Sequence, residues 1–218
     1  MAFILSPSIL SADQGKMSDE ISMLNDSLAD WIHVDVMDGV FVPNITFGFP
    51  LMKTLKKTAK KPLDVHLMIV EPARYIKLFA AENTYLLTVH FEACHHLHRT
   101  INEIKECGMK AGVSVNPHTP VSVLEDILTD ADLFLIMGVN PGYSAQKFIP
   151  NTTQKVSKLK EMIVKSGSKA IIEVDGGVSL SNAGELLRAG ADALVAGNAV
   201  FGDANPLSAI QKLKDLSK

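Results

Sequence analysis

The chain has 218 residues, 47% of them hydrophobic and 21% charged, enough apolar material to bury one sizeable core. A formal net charge of -3 gives no whole-molecule electrostatic case for nucleic acid or an anionic membrane as partner, and no window approaches the roughly 18 uninterrupted apolar residues of a membrane span. The two cysteines, Cys94 and Cys107, lie too far apart for a CxxC motif, and with no basic flank before the apolar Phe3-Ile4-Leu5 a cytoplasmic location is expected. In chain order, a strand near 3–9 leads to a helix near 13–28, where Ser11-Ala12-Asp13-Gln14 has the form of a capping box. Strands near 31–37 and 63–69 flank a helix near 47–58, whose lysines at 53, 56, 57, 60 and 61 have the spacing of a solvated helix face. Helices near 72–82 and 95–106 and strands near 84–90 and 109–115 follow, with Gly108 as a terminator. The last third repeats the pattern: helices near 120–128, 150–165, 179–188 and 205–216, and strands near 132–139, 169–174 and 191–196. Gly190 again follows a helical run, and Asn205-Pro206 reads as a cap with proline in the first turn.

Eight β units, each followed by a helix and with no linker or composition break, point to a single α/β domain over 1–218, a (β/α)8 barrel. A doubly wound open sheet is the alternative. In the barrel, functional residues collect at the C-terminal ends of the strands, and Ser8, His33, Asp35, His66, Met137 and Asp175 all fall near such ends.

His33-Val34-Asp35 and Asp64-Val65-His66 each place an imidazole and a carboxylate two residues apart, hence on one face of a strand. Ile171-Ile172-Glu173-Val174-Asp175-Gly176-Gly177 ends another apolar run with acids and glycines. His33, Asp35, His66 and Asp175 together form a candidate site for one divalent metal ion, with zinc, iron(II), manganese and cobalt all compatible with mixed nitrogen and oxygen donors. A set of hydrogen-bonded polar groups at a barrel mouth is the alternative. Asp64 shares a face with His66 and suits a role orienting a metal ligand. A rival cluster, His90, Cys94, His95, His96 and His98, has no zinc-template spacing. Glycine-rich loops follow three strands: Gly142-Tyr143-Ser144-Ala145, Gly176-Gly177 and Gly197-Asn198. Exposed backbone amides there could take a phosphate, although tight turns need glycine in any case. Met37, Met68 and Met137 end strands and serve either as core or as an apolar lining over a reacting carbon.

These residues resemble the ribulose-phosphate 3-epimerase family. The matches are Pro7-Ser8-Ile9-Leu10-Ser11-Ala12-Asp13, His33-Val34-Asp35-Val36-Met37-Asp38-Gly39, Phe41-Val42-Pro43-Asn44, Asp64-Val65-His66-Leu67-Met68, Val139-Asn140-Pro141-Gly142 and Glu173-Val174-Asp175-Gly176-Gly177. The resemblance implies His33, Asp35, His66 and Asp175 as metal ligands and Asp35 with Asp175 as the acid/base pair. It implies substrate contacts from Ser8, His66, Gly142, Tyr143, Ser144, Ala145, Asp175, Gly176, Gly177, Gly197 and Asn198, with the three methionines covering the sugar. The implied reaction is epimerisation at carbon 3 of a ketose phosphate through a metal-stabilised enediolate, D-ribulose 5-phosphate to D-xylulose 5-phosphate, in the pentose phosphate pathway. A homo-oligomer is expected by resemblance alone.

The chain departs from the family where Gly-Phe-Gly-Gly is usual and Gly142-Tyr143-Ser144-Ala145 stands here, and at Asn198, Gly138 and Val40. No metal ligand or acid is altered, so the departures bear on which substrate is taken. A 3-epimerase for a hexulose phosphate such as allulose 6-phosphate is therefore the close alternative. An orotidine-phosphate decarboxylase-like enzyme would need lysine where His66 stands, and a non-catalytic sugar-phosphate binder would not need two opposed carboxylates at a metal.

Overall fold

The computed structural model describes residues 3–216. The strands are β1 (Ile4–Ser6), β2 (Ile32–Met37), β3 (Leu63–Met68), β4 (Thr84–His90), β5 (Lys110–Val115), β6 (Leu133–Met137), β7 (Ile171–Asp175) and β8 (Ala193–Val195). The helices are α1 (Met17–Asp26), α2 (Phe49–Thr58), α3 (Ile76–Ala81), α4 (Leu97–Glu106), α5 (Asn151–Ser166), α6 (Ala183–Ala189), α7 (Asn198–Phe201) and α8 (Pro206–Asp215). Every ladder is parallel, and the strands neighbour one another in the order β1-β8-β7-β6-β5-β4-β3-β2. This is the expected (β/α)8 barrel. The last seam, between β1 and β2, is closed by a single parallel bridge from Ser8 to His33, with the His33 N–H donating to Pro7 O at 3.0 Å.

Strand alternation divides the buried residues into two populations. Ile32, Val34 and Val36 of β2, Leu63, Val65 and Leu67 of β3, and Phe134 and Ile136 of β6 point outward into the main core under the helices. The intervening residues point inward. Leu86, Leu133, Leu135 and Met137 fill part of the interior with Trp31 and Ile171, while Met37, Met68 and Val42 pack with Leu10 and Phe41 near the mouth. Between these apolar groups the interior is polar.

The N-terminal ends of the strands share one device. Asp30, Asp132 and Asp192 each donate a backbone N–H to a carbonyl of the neighbouring strand, Leu5, Ala111 and Ile172, at 2.8–2.9 Å. Each carboxylate then accepts the N–H of that same residue at 2.7–2.9 Å. Lys214, Lys110 and Lys160 pair with the three aspartates at 2.7, 3.2 and 3.0 Å. The pairing positions β1, β5 and β7 at the end remote from the polar interior.

Local structure departs from expectation in several places: the strand near 3–9 stops at Ser6, the helix near 72–82 opens as a 3-10 turn over Pro72–Tyr75, α7 is an added helix, and two further differences have a clear local cause. The residues Ser11–Gln14 do not form a capping box: Asp13 accepts from Gly15 N–H, Gln14 donates to Ile9 O and Ala12 O, and α1 starts only at Met17. The stretch expected as a helix at 120–128 is a 3-10 turn over Val121–Ile127, with Val121, Leu124 and Ile127 buried. Apolar residues spaced by three fit three residues per turn better than 3.6. At α8 the expected cap is present, with Asn205 Oδ1 accepting from Ser208 N–H at 3.1 Å.

Removing one strand-end aspartate leaves a backbone donor unpaired. Asp192→Ala should therefore lower stability by about 1–3 kcal/mol, read as a fall in the urea midpoint with unchanged slope.

Candidate active site

Period-two alternation aims His33 and Asp35 from β2, His66 from β3 and Asp175 from β7 at one point near the C-terminal end of the barrel. One donor atom from each lies within 4.8 Å of the others. Asp35 Oδ1 is central, 3.3 Å from His33 Nε2 and 3.0 Å from His66 Nδ1. Asp175 Oδ2 lies 4.0 Å and 3.7 Å from the same two nitrogens. The other Asp35 oxygen accepts from Ser8 Oγ at 2.6 Å, so the seam residue also orients the carboxylate.

Asp64 serves a different histidine from the one beside it on β3. The register sets Asp64 opposite His33, and its Oδ2 lies 2.6 Å from His33 Nδ1 while accepting from Ser6 Oγ at 2.9 Å. The Asp64 contact fixes the ring so that Nε2 faces the other donors. Asp64, Glu173 and His33 also cluster within 4.8 Å, and because Asp64 already engages His33 Nδ1 the cluster reads as support for that ring.

Charge is divided unevenly across the group. Burial disfavours charge on His33, but the Asp64 and Asp35 carboxylates outweigh it and hold the imidazole well above its ordinary pKa. Burial likewise opposes ionisation of Asp35, yet His33 and then His66 hold it far below the carboxylate range. Asp175 moves the other way, pushed up to about 6 by burial and then by the Asp35 charge. Glu173, fully buried beneath it, is pushed well up by burial and then by Asp64. Two imidazole nitrogens and two crowded carboxylates are a donor set that fits a divalent cation, and the group is able to hold one.

Above this floor lies a cavity of about 260 Å3, at the small end of the range for ligand sites. Its walls include Ser8, Asp35, Met37, Met68, Met137, Gly142, Tyr143, Ser144, Ala145, Asp175, Gly176, Gly177, Gly197 and Asn198. His33 and His66 are fully buried and stand behind the carboxylates, outside that lining. The loop after β6 is tied to the loop after β2 by Asn44 Nδ2 donating to Gly142 O and Tyr143 Oη donating to Pro43 O, both at 2.9 Å. Gly138 lets β6 and β7 approach: a Cβ there would lie 2.2 Å from Gly176 O. Ala145 has φ +58°, a left-handed conformation that suits glycine.

The rival histidine cluster separates. Among the described residues, His90, Cys94, His95, His96 and His98 form no group able to share an ion. His95, His96 and His98 are exposed, whereas His90 is fully buried inside the barrel with its Nε2 at 2.8 Å from His66 Nε2. Its place at the end of β4, in phase with Thr88 and Leu86, is the signal that distinguishes it. Leu10, Ser11, Val139, Asn140, Pro141, Gln146, Val178, Ser179, Val195 and Ala199 also line the cavity. Leu10, Ser11, Val139, Asn140 and Pro141 stand inside the matched motifs, whereas Gln146, Val178, Ser179, Val195 and Ala199 lie outside them and gave no signal.

A family model described as the ribulose-phosphate 3 epimerase family matches residues 4–201. Ribulose-phosphate 3-epimerase of Bacillus subtilis (strain 168) is 50% identical over 211 residues, covering 96% of this chain and 97% of its own length. The protein of the same name from Synechocystis sp. (strain ATCC 27184 / PCC 6803 / Kazusa) is 48% identical over 214 residues, covering 97% and 93%. The crystal structure of KGPDC from Streptococcus mutans superposes with a TM-score of 0.75 over 99% of this chain and 97% of that one, at 15% identity, a likeness of fold alone.

Two outcomes follow from the site geometry. Because His33 is held protonated in the ion-free protein, zinc loading at pH 7 should release about one proton, with a further release from Asp175 below about pH 6. Calorimetric titration in buffers of different ionisation heat reads this, and identical apparent heats in every buffer would contradict it. Ala145→Gly should relieve the left-handed backbone and raise stability by up to about 1 kcal/mol, after the entropy that glycine adds to the unfolded chain. A thermal melt checks the sign.

Proposed function

The chain belongs to the ribulose-phosphate 3-epimerase family, and from that premise we propose that it interconverts D-ribulose 5-phosphate and D-xylulose 5-phosphate in the cytoplasm. It is an isomerase. The observation that carries the mechanism is the pair Asp35 and Asp175, delivered from β2 and β7 with carboxylate oxygens within 4.8 Å of each other on the cavity floor. Inverting a carbon centre requires a base on one face and an acid on the other.

The environments of the two aspartates suit those roles. In the ion-free protein Asp35 is kept ionised by the imidazoles, while Asp175 sits near pH 6, close to where a proton can be given or taken. Asp35 takes the proton from carbon 3 and Asp175 returns one to the opposite face, with roles exchanged in reverse. A divalent ion held by His33, Asp35, His66 and Asp175 supplies Lewis-acid stabilisation of the negative charge that develops on the substrate oxygens. Ser8 orients Asp35 by its 2.6 Å hydrogen bond. Met37, Met68 and Met137 on the cavity wall keep water from the carbon that has lost its proton.

The phosphate is assigned to Gly142–Ala145, Gly176, Gly177, Gly197 and Asn198 of the cavity wall. The loops after the seventh and eighth strands are the usual phosphate site of this barrel. Ser144 and Asn198, both lining the cavity, replace backbone approach by side-chain donors.

Asp35→Asn and Asp175→Asn should each abolish net epimerisation, and each should exchange solvent deuterium into a different epimer. Proton NMR of the sugar in heavy water, with metal content measured alongside, reads this. Two metal-loaded variants turning over near the wild-type rate would remove the aspartate pair from the mechanism. On the phosphate side, Ser144→Ala and Asn198→Ala should each cost about 1–2 kcal/mol, mainly in KM. Free ribulose should be a far poorer substrate than ribulose 5-phosphate, since phosphate binding holds carbon 3 in place. A kcat/KM comparison across ribulose, ribulose 5-phosphate and allulose 6-phosphate decides the assignment, and a preference for the hexulose phosphate would transfer it.

A further inference from the structure

At the end of the barrel remote from the four-residue group, the strand starts surround a hollow of about 610 Å3, within the range for small-molecule sites. Leu86 and Leu133 form its floor, and Trp31, the residue before β2, packs against them. Tyr85 stands beside Trp31, with ring centroids 5.7 Å apart and planes at 56°. The register between β3 and β4 accounts for its position. Leu63 pairs with Thr84 and Asp64 with Leu86, so Tyr85 is the extra residue of a bulge. A bulge at a barrel rim re-aims the side chain it frees, and Tyr85 is 42% exposed at the hollow. Lys105, Lys110 and Lys169 also line it, and Asp132 is the one acid among the described lining residues. That carboxylate is already engaged, by Lys110 at 3.2 Å, Lys105 at 3.7 Å and the Ala111 N–H at 2.9 Å. Lys169 is exposed and has no ion-pair partner among the described residues. A neighbouring groove shares Tyr85, Lys105 and Lys110 and adds Lys60 and Lys61, with no further acid among its described residues.

We propose that this hollow is a second ligand site, separate from the catalytic cavity, and that it takes a nucleotide. The flat base lies against Trp31 and Tyr85, and the phosphate sits among Lys105, Lys110 and Lys169. An exposed aromatic by itself needs no explanation, but one re-aimed onto a second aromatic at the rim of a cavity does. The paired rings offer stacking surface, and the lysine excess offers charge for an anion. A hydrocarbon would leave the ammonium groups unanswered, and a bare phosphate would leave the rings unused. A base joined to a phosphate answers both. Stacking reads the face of a base and not its edges, so the site is tolerant of base identity. Chemistry in this barrel belongs at the other ends of the strands, so the site binds its ligand without transforming it.

Trp31 is the only tryptophan of the chain, so its emission reports on this hollow. Adenosine monophosphate should change that emission saturably, with a Kd at or below about 1 mM. Tyr85→Ala should weaken the binding about 5–100-fold through lost stacking, and Lys169→Glu by about twofold or more through lost charge. Adenosine, which lacks the phosphate, should bind more weakly than the nucleotide. Saturating ribulose 5-phosphate should leave the titration unchanged, because that sugar is assigned to the opposite end of the barrel. No saturable response of the wild type up to about 10 mM nucleotide would overturn the proposal whether or not the variants fold. Displacement by ribulose 5-phosphate, or equal affinity for adenosine, would overturn it as well. So would affinities within about twofold of wild type in both variants. An emission that shifts with protein concentration before any nucleotide is added would show a second copy of the chain covering the hollow, and the nucleotide site would fall.

Discussion

The site depends on one constraint: the barrel interior holds carboxylates and imidazoles in a space almost closed to water. His33, His66, Asp64 and Glu173 have no exposed surface, and Asp35 has 3%. A buried charge without partners costs far more than any single packing interaction returns. Asp64 is engaged by Ser6 and His33 and Asp35 by Ser8, His33 and His66, whereas neither Glu173 oxygen has a hydrogen-bond partner among the described residues. The engagement remains incomplete at Asp175, whose pKa rises because burial and Asp35 both oppose its charge. A divalent cation among these four residues would offset that opposition, and the group is able to hold one.

Such an interior needs a scaffold whose stability comes from elsewhere. The outward faces of the strands supply it, with Val34, Val65, Phe134 and Val174 fully buried under the helices. The two ends of the barrel divide the remaining work. At the N-terminal ends, Asp30, Asp132 and Asp192 fasten neighbouring strands through paired backbone bonds. The seam between β1 and β2 is closed where Ser8, just past the end of β1, bridges His33 near the start of β2; Ser8 holds Asp35 and His33 faces it. Closure of the barrel and assembly of the floor are the same event.

The strand order and the four-residue group were legible in the sequence because period two is a strict geometric rule. Once His33-Val34-Asp35 and Asp64-Val65-His66 are strands, each polar pair must share a face. What lay beyond the sequence was register. Asp64 shares a face with His66, yet it serves His33, because β2 and β3 pair His33 with Asp64. His90 was grouped with the histidines that follow it, although its strand phase sets it apart from residues spread around the start of α4. The 3-10 turn at Val121–Ile127 escaped for a related reason, since apolar spacing by three also belongs to a helix.

Chemistry and recognition rest on supports of different stiffness. Asp35 and Asp175 end strands paired to neighbours on the barrel wall, so their positions are fixed by several independent bonds. The wall formed by Tyr143, Ser144 and Ala145 is a loop tied back through Asn44 to Gly142 and through the Tyr143 hydroxyl to Pro43. Phenylalanine at 143 would have no hydroxyl for the second of those ties. Ala145 holds a left-handed backbone at a cost of about 1–2 kcal/mol. In this chain the loop shape is thus held by side-chain bonds against backbone strain, where glycine would adopt it freely. Changes there reshape the loop wall of the cavity and leave the strand-borne acids in place.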